Sequence, residues 1–133
     1  MKLIPLCLFI ITVFLFSCEK SPDSDLRGRW QLKTEVSANN TTTQVDSIFY
    51  GFDNNVVSVQ KVERPTYTKL VFGKYTQTSD SLFFDYLDWD GSHDYFLKKK
   101  IIYSKSEHYL ILKLNSNTMN LKSKDRELIF HKF

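Results

Sequence analysis

The stretch Leu26-Arg27-Gly28-Arg29-Trp30-Gln31-Leu32 decides the fold class that we predict for this chain. From Arg29 onward apolar and polar side chains alternate, with Trp30, Leu32 and Val36 on one face of an extended segment and Arg29, Gln31, Lys33 and Glu35 on the other. A period of two predicts a half-buried β-strand. Glycine before a large aromatic residue allows a positive φ or a close backbone approach, so the Trp30 indole can plug the end of a sheet closed on itself.

Length and composition predict one globular domain. The chain has 133 residues, of which 42% are hydrophobic and 25% are charged, as is ordinary for a soluble fold. Without residues 1–17, which we interpret as a removable signal, about 116 residues remain with a net charge of about +2. This charge is too small and too dispersed to indicate nucleic-acid binding.

The N-terminal segment predicts membrane anchoring. Lys2 is followed by about 14 mostly apolar residues, which is short of the roughly 20 that cross a bilayer as a helix. Leu15-Phe16-Ser17-Cys18 resembles the lipobox of bacterial lipoproteins, which implies cleavage before Cys18 and acylation of that cysteine, palmitate included. Several acyl chains anchor a protein stably where one would be marginal. The alternative is an ordinary secretory signal with an incidental cysteine.

Only Cys7 and Cys18 are present, so a processed and acylated chain would have neither a disulfide nor a free thiol. Residues 18–25 comprise the lipidated cysteine and a polar segment that we interpret as a flexible tether. The resemblance places the protein in the cell envelope, on the outer membrane. The acidic residues of the tether partly resemble a surface-export mark, and both the periplasmic and the surface face remain open.

The remaining chain alternates between β-rich runs and turn residues. Two hairpins are predicted, followed by a three-stranded meander. A polar loop over 39–43 precedes the runs, which are 45–52 with 56–62, 67–77 with 81–87, and then 108–114, 118–122 and 127–133. Residues 89–94 are expected to be irregular, and residues 96–103 fit either a strand or one to two turns of helix. Eight or nine short β-rich runs, without a strong amphipathic helix long enough to cover a sheet, predict an all-β barrel or sandwich.

The order of these motifs resembles the small lipocalin-like lipoproteins of Gram-negative bacteria. The resemblance covers residues 26–133 and consists of Gly28-x-Trp30, Gly73-x-Tyr75 followed by a Ser-Asp-Ser-Leu turn, and an ending with Ile111, Leu114, Met119 and Leu121. It implies an antiparallel meander that closes into a calycin-type barrel of about eight strands. Gly28, Trp30, Gly73 and Tyr75 would then mark the fold.

No residue pattern predicts catalysis, a cofactor or a metal. Asp88-x-Asp90-Gly91 superficially resembles a calcium loop, and Asp85, His93 and Asp94 lie nearby, but the spacing lacks the third ligand and the closing glutamate, which favours a solvated loop. The three histidines His93, His108 and His131 lack zinc spacing. Without a Gly-x-Ser-x-Gly motif or a free cysteine, we expect no enzyme.

Three function classes follow from this interpretation. The first is a lipid-anchored barrel that binds a small apolar ligand, the second is an envelope interaction module such as a protease inhibitor or an accessory subunit, and the third is a structural lipoprotein without a ligand. Lys98-Lys99-Lys100 suits either anionic lipid head groups or, as we favour, a solvated edge strand. The abundance of aromatic residues predicts a lumen that is largely filled.

Overall fold

The computed structural model describes residues 23–63, 67–87 and 91–133. The predicted signal over 1–17, Cys18, most of the tether, and both Asp88 and Asp90 lie outside these residues. The elements are α1 (Asp23–Leu26), β1 (Gly28–Ser37), β2 (Thr42–Gln44), β3 (Ile48–Asp53), β4 (Val56–Glu63), β5 (Tyr67–Gln77), β6 (Ser81–Tyr86), α2 (Ser92–Lys98), β7 (Ser106–Leu114), β8 (Thr118–Lys122) and β9 (Arg126–Lys132). Within the described residues, no helix is long and apolar enough to cross a membrane.

The strands form one antiparallel sheet that closes on itself. From β3 to β9 each strand pairs with the next along the chain, and β1 pairs with both β3 and β9. The short strand β2 lies on the same edge of β1 as β3 and extends that edge beyond it. The barrel therefore has eight strands around its circumference, as predicted. The strands β2 and β3 lie end to end and together occupy one of these eight positions.

Inward-facing side chains form a core that is rich in aromatic residues. Rings contact one another across the lumen, with centroids 4.9 Å apart for Tyr50 and Phe130 and 5.7 Å apart for Phe52 and Phe84. The largest side chains with less than 2% exposure are Trp30, Tyr50, Tyr86, Tyr109, Phe52, Phe84, Phe96, Phe130, Leu26, Leu32, Leu82 and Ile102. This packing agrees with the expectation of a largely filled lumen.

The helix α1 closes one end of the barrel. Leu26 is fully buried, and its carbonyl oxygen accepts a hydrogen bond of 2.8 Å from Trp30 Nε1. Gly28 has a φ of 123°, and a Cβ there would lie 2.9 Å from Lys132 Cε. The predicted role of glycine before tryptophan is therefore seen, since only this residue type adopts such a φ readily. Because α1 begins at Asp23, the last residues of the predicted tether are helical.

Gly73 provides a close approach of two strands rather than a turn. A Cβ at this position would lie 2.6 Å from the backbone oxygen of Asp85 on β6, closer than real Cβ atoms come. Tyr75, two residues later, is 7% exposed and packs edge-on against Phe52 at 5.3 Å. Both members of the second glycine and aromatic pair thus serve the barrel wall and its core.

Two β-bulges change which residues face inward. The β1–β9 register shifts between Leu32 and Thr34, so Glu35 faces the interior in place of Val36. The prediction that Val36 shares the face of Trp30 and Leu32 was therefore wrong, because a bulge inserts one residue and reverses the alternation. A second shift between Ile111 and Lys113 likewise turns Leu114 toward the core.

Three segments differ from the sequence predictions. Thr42–Gln44 forms β2, where a polar loop was expected, because these residues pair with the outer half of β1. The predicted run 45–52 begins only at Ile48. Residues 92–98 form the helix α2, so 92–94 are helical where an irregular loop was expected. Of the two alternatives for 96–103 the helix holds for 96–98, and residues 99–105 lead into β7.

Replacing Trp30 by alanine should lower the free energy of unfolding by about 3–5 kcal/mol, the usual range for truncating a buried large aromatic residue. The change also removes the hydrogen bond to Leu26 that holds α1. Urea denaturation followed by circular dichroism measures the effect. Phe133→Ala is the control, because that aromatic ring is 70% exposed and its loss should move the midpoint little. Equal midpoints for the Trp30 variant and the wild type would contradict the assigned core position.

Candidate functional site

A group of buried polar side chains lies inside the barrel at the α2 end. We call it the Arg126 cluster, and it consists of Arg126 on β9, Glu107 and Tyr109 on β7, Tyr86 on β6 and Tyr50 on β3. Each belongs to the inward-facing set of its strand, as Arg126 does with Leu128 and Phe130. The barrel geometry therefore brings residues from four strands to one point.

Arg126 is the centre of the hydrogen bonds in this cluster. Its Nη2 donates to the carbonyl oxygen of Ile101 at 2.7 Å, to the Tyr109 hydroxyl at 3.0 Å and to Glu107 Oε2 at 3.3 Å. Its Nη1 donates to Glu35 Oε1 at 3.4 Å. The Arg126 side chain is 1% exposed and that of Glu107 is 6% exposed, so this ion pair is removed from water. Such a pair is costly to bury, and its charges need every available hydrogen bond.

The tyrosine hydroxyls stay protonated and serve as donors. Tyr86 donates to Glu107 Oε1 at 2.9 Å, and Tyr109 donates to Glu107 Oε2 at 2.8 Å. Burial raises the pKa of Tyr50, Tyr86 and Tyr109 above the usual value for tyrosine. Burial alone would lower the pKa of Arg126, but the Glu107 and Glu35 carboxylates that face it act in the opposite direction, and the pKa is raised. The guanidinium therefore remains charged.

Two donors of the cluster lack an acceptor. The Tyr50 hydroxyl and Arg126 Nε are both buried and have no hydrogen-bond partner within the part of the chain that the structure describes. Burial raises the pKa of Tyr50 most, while the charge of Arg126 and a side-chain contact within hydrogen-bonding reach of it act in the opposite direction, so the two groups lie side by side. Leaving a buried donor unpaired costs about 1–3 kcal/mol. The pair is therefore a place where an oxygen acceptor would be stabilised.

Residues 99–105, which we call the mouth segment, close the barrel over this cluster. Ile102 is fully buried, and the carbonyl oxygen of Ile101 accepts the shortest bond that Arg126 makes. The backbone N–H of Tyr103 donates to Glu107 Oε2 at 3.3 Å, and the Tyr103 ring lies 4.3 Å from Arg126 Cζ. Polar contacts that water could replace therefore hold much of the closure.

Surface depressions flank the mouth segment on both sides of Tyr103. One, of about 330 Å³, is lined by residues that include Tyr103, Glu107 and Asp125, and the other, of about 290 Å³, lies between Leu97 and Tyr103. Because Glu107 lines the first depression, this residue is the point at which the Arg126 cluster comes nearest to that depression.

A larger groove of about 640 Å³ lies on the outer wall of the barrel, near α1. Gly28, Gly51 and Ser58 line it with little or no side chain, while Phe72 lies at one side and Arg27 at the rim. A Cβ on Gly51 would lie 2.6 Å from Ser58 Oγ, so glycine is what keeps this surface recessed. The groove faces outward and is separate from the lumen.

Those of the acidic and histidine residues singled out in the sequence that the structure describes do not form one site. Asp85 is exposed and accepts a hydrogen bond from Ser106, His93 is buried on the inner side of α2, and His108 stacks on Phe83 on the outer wall at 4.4 Å. His131 lies exposed on β9. Among the described residues, no three potential ligands of the types His, Cys, Asp or Glu are grouped to hold a metal.

The prediction that Lys98-Lys99-Lys100 form a solvated edge strand was wrong. Lys98 is the last residue of α2, and Lys99 and Lys100 form the turn after it. All three side chains are exposed. A lysine in the last helical turn is favourable because it faces the negative end of the helix dipole. The lysines therefore lie at the same end of the barrel as the Arg126 cluster.

Sequence reasoning missed the Arg126 cluster altogether. The alternation along β7 and β9 could have indicated that two charged residues face inward. Arg126 stands two residues before Leu128, and Glu107 stands two residues before Tyr109, so each shares a strand face with a core residue. For Glu35 no such signal existed, since the bulge in β1 decides its direction. Gly28, Trp30, Gly73 and Tyr75 are not part of the cluster, and they serve the barrel itself.

Comparisons with known proteins identify relatives of the fold. The model of the lipocalin-like domain family matches residues 12–133. The structure is similar to a lipocalin-like protein from Bacteroides uniformis ATCC 8492, with a TM-score of 0.72, 24% identity and coverage of 82% of this chain and 99% of that one. It is also similar to an uncharacterized protein from Bacteroides eggerthii DSM 20697, with a TM-score of 0.70, 19% identity and coverage of 82% and 100%. No curated protein matches the sequence.

Replacing Arg126 by methionine should lower the free energy of unfolding by about 3–5 kcal/mol, because the Glu107 carboxylate would be left buried without its cation. Urea denaturation of the purified domain measures the loss. The double variant Arg126→Met with Glu107→Gln tests the cause, since removing both charges should restore much of the stability. If the double variant is as unstable as the single one, the ion pair is not the source of the loss.

Proposed function

The chain belongs to the lipocalin-like domain family, and we propose that it is a lipid-anchored protein of the cell envelope whose barrel binds a small, largely apolar molecule. The proposal assigns to the barrel a binding role rather than catalysis. One observation carries the ligand part: within the described residues the buried Tyr50 hydroxyl and Arg126 Nε make no hydrogen bond of normal geometry, although Arg126 lies beside Tyr50, and the lumen around them is lined by aromatic rings.

The anchoring part depends on the N-terminal sequence. A single lysine, a short apolar run and Ser17-Cys18 together form a processing pattern rather than a membrane span. Acylation of Cys18 would hold the domain at the outer membrane through the residues that precede α1. Because the two cysteines of the sequence are Cys7 and Cys18, the folded domain needs no oxidation step for its stability.

The chemistry of the Arg126 cluster defines the ligand that we propose. An oxygen of a carbonyl, a hydroxyl or a carboxylate would accept from Tyr50 and Arg126, while the rest of the ligand would contact rings such as Phe84. Glu107 in the cluster and Glu35 beside it already face one arginine, so a neutral acceptor suits the charge of the site better than an anion. The packed lumen limits the ligand to a small molecule.

Access to this site requires movement of the mouth segment. Tyr103 is 37% exposed, and its contacts with Arg126, Glu107 and Glu35 are replaceable by water. By contrast, the α1 end is closed by the fully buried Leu26 and Trp30. We therefore place the entrance at the α2 end.

A second candidate function is an interaction module that uses the outer surface. Phe83, Leu110 and Leu112 on β6 and β7 point outward and are 43%, 46% and 52% exposed. Apolar side chains grouped on a monomer surface commonly mark a partner site. The filled lumen favours this candidate, because a protein of this kind needs no internal space.

Cys18→Ala should release the protein from the membrane fraction, because no acyl chain would then hold the domain. Cys7→Ala is the matched control, since that cysteine lies within the predicted signal, and it should leave the protein in the membranes. Fractionation of cell envelopes followed by immunoblotting measures both. Equal membrane fractions for wild type and Cys18→Ala would refute the anchor.

Residues 19–133 purified from an envelope extract should carry a small-molecule adduct in native mass spectrometry. Tyr50→Phe should reduce the adduct severalfold, because it removes one donor and keeps the ring. Tyr67→Phe is the control, since that side chain is 56% exposed outside the lumen. A bare mass for the wild type would contradict the ligand, and loss of a co-purifying protein on Leu110→Asp would then favour the interaction module.

A further inference from the structure

We infer that the α1 end of the barrel rests on the membrane surface, and that the α2 end with its mouth segment faces the aqueous compartment. The inference rests on the anchor at Cys18 in the proposed function. It goes beyond that anchor by naming which surface of the domain meets the lipid head groups.

The chain between the anchor and the fold is short. Four residues separate Cys18 from Asp23, where α1 begins. Even when fully extended, the backbone from Cys18 to Asp23 spans at most about 18 Å. The ten residues of β1 rise by about 25 Å along a barrel axis at the usual strand tilt. The anchor therefore holds the α1 end close to the bilayer and leaves the α2 end far from it.

Helix α1 is fixed to the barrel and does not act as a hinge. Leu26 is fully buried and its carbonyl oxygen is bound by Trp30. Lys132 Nζ, at the end of β9, donates to the carbonyl oxygen of Asp25 at 3.3 Å and also to that of Arg27. The point from which the anchoring segment departs is therefore held by contacts with the first and the last strand of the barrel.

The surface around α1 carries exposed apolar and basic side chains. Val56 is 45% exposed, Phe133 is 70% exposed, and the side chain of Arg27, which pairs with the exposed Asp53 at 3.0 Å, is 68% exposed. The Arg29 guanidinium lies 5.0 Å from the centre of the Phe133 ring. Aromatic and basic side chains of this kind are typical of the head-group region of membranes. An exposed phenylalanine at this place is stabilised when lipid covers it.

The orientation has a consequence for the opposite end. Lys98, Lys99 and Lys100 are exposed beside the mouth segment, far from the bilayer that holds Cys18. Their charge is then directed toward the aqueous compartment and not toward the lipid of the anchoring membrane. A ligand would enter the barrel from the solvent side.

Two serine positions at opposite ends of the barrel provide the test. Ser116 is exposed in the turn between β7 and β8. This turn lies at the α1 end, because the carbonyl oxygen of its Asn117 accepts a hydrogen bond from the backbone N–H of Lys132. Ser104 is exposed in the mouth segment. Ser116→Cys and Ser104→Cys in the full chain each give one reactive thiol, since the Cys18 sulfur would be blocked as the thioether of a diacylglyceryl group. Each protein is purified from membranes, labelled with a fluorescent maleimide, and placed in vesicles of phosphatidylethanolamine and phosphatidylglycerol that contain nitroxide-headgroup lipid.

We expect the label at position 116 to lose most of its fluorescence and the label at position 104 to lose little. Equal quenching at both positions, or stronger quenching at 104, overturns the orientation while the anchor stands. A protein that labels at Cys18 or is recovered without membranes refutes the anchor instead, and the inference falls with it. Adding Cys18→Ala to each variant is the control and should abolish quenching at both positions.

Discussion

The width of an eight-stranded barrel is the constraint on which the rest of this structure depends. Such a barrel encloses just enough space for its own side chains or for one small ligand. Here rings such as those of Tyr50, Phe84 and Phe130 contact one another across the lumen. With the centre filled by aromatic residues, polar groups find room only at the α2 end, where the mouth segment covers them. The position of the Arg126 cluster is thus a result of how the core is filled.

A buried guanidinium in such a small domain is unusual, and its contacts explain why it is tolerated. Arg126 joins the barrel wall to the mouth segment through Ile101 and to β7 through Glu107. A purely apolar interior could bury as much surface, but it would give the mouth segment no directional contact. The ion pair therefore contributes more to the specific closed arrangement of this end than to net stability.

Much of the barrel could be predicted from the sequence, because most of its strands follow the alternation of period two that antiparallel sheets impose. Gly28 before Trp30 and Gly73 before Tyr75 indicated places where the backbone takes a conformation or a close contact that only glycine allows. The structure shows a positive φ at Gly28 and a close strand contact at Gly73. The two bulges could not be predicted, since pairing between distant strands creates them. Glu35 was therefore assigned to the outer face, and the cluster that it completes was missed.

The closure of the barrel through β1 and β9 has a consequence for when the fold can form. Trp30 pairs with Lys132, so one edge of the first strand stays open until the final strand is present. Contacts between residues so far apart in sequence form slowly, because a long loop must close first. A chain still emerging from the ribosome therefore lacks the strand that completes its sheet. The register between the two ends of the domain is therefore set last, when β9 docks along the free edge of β1.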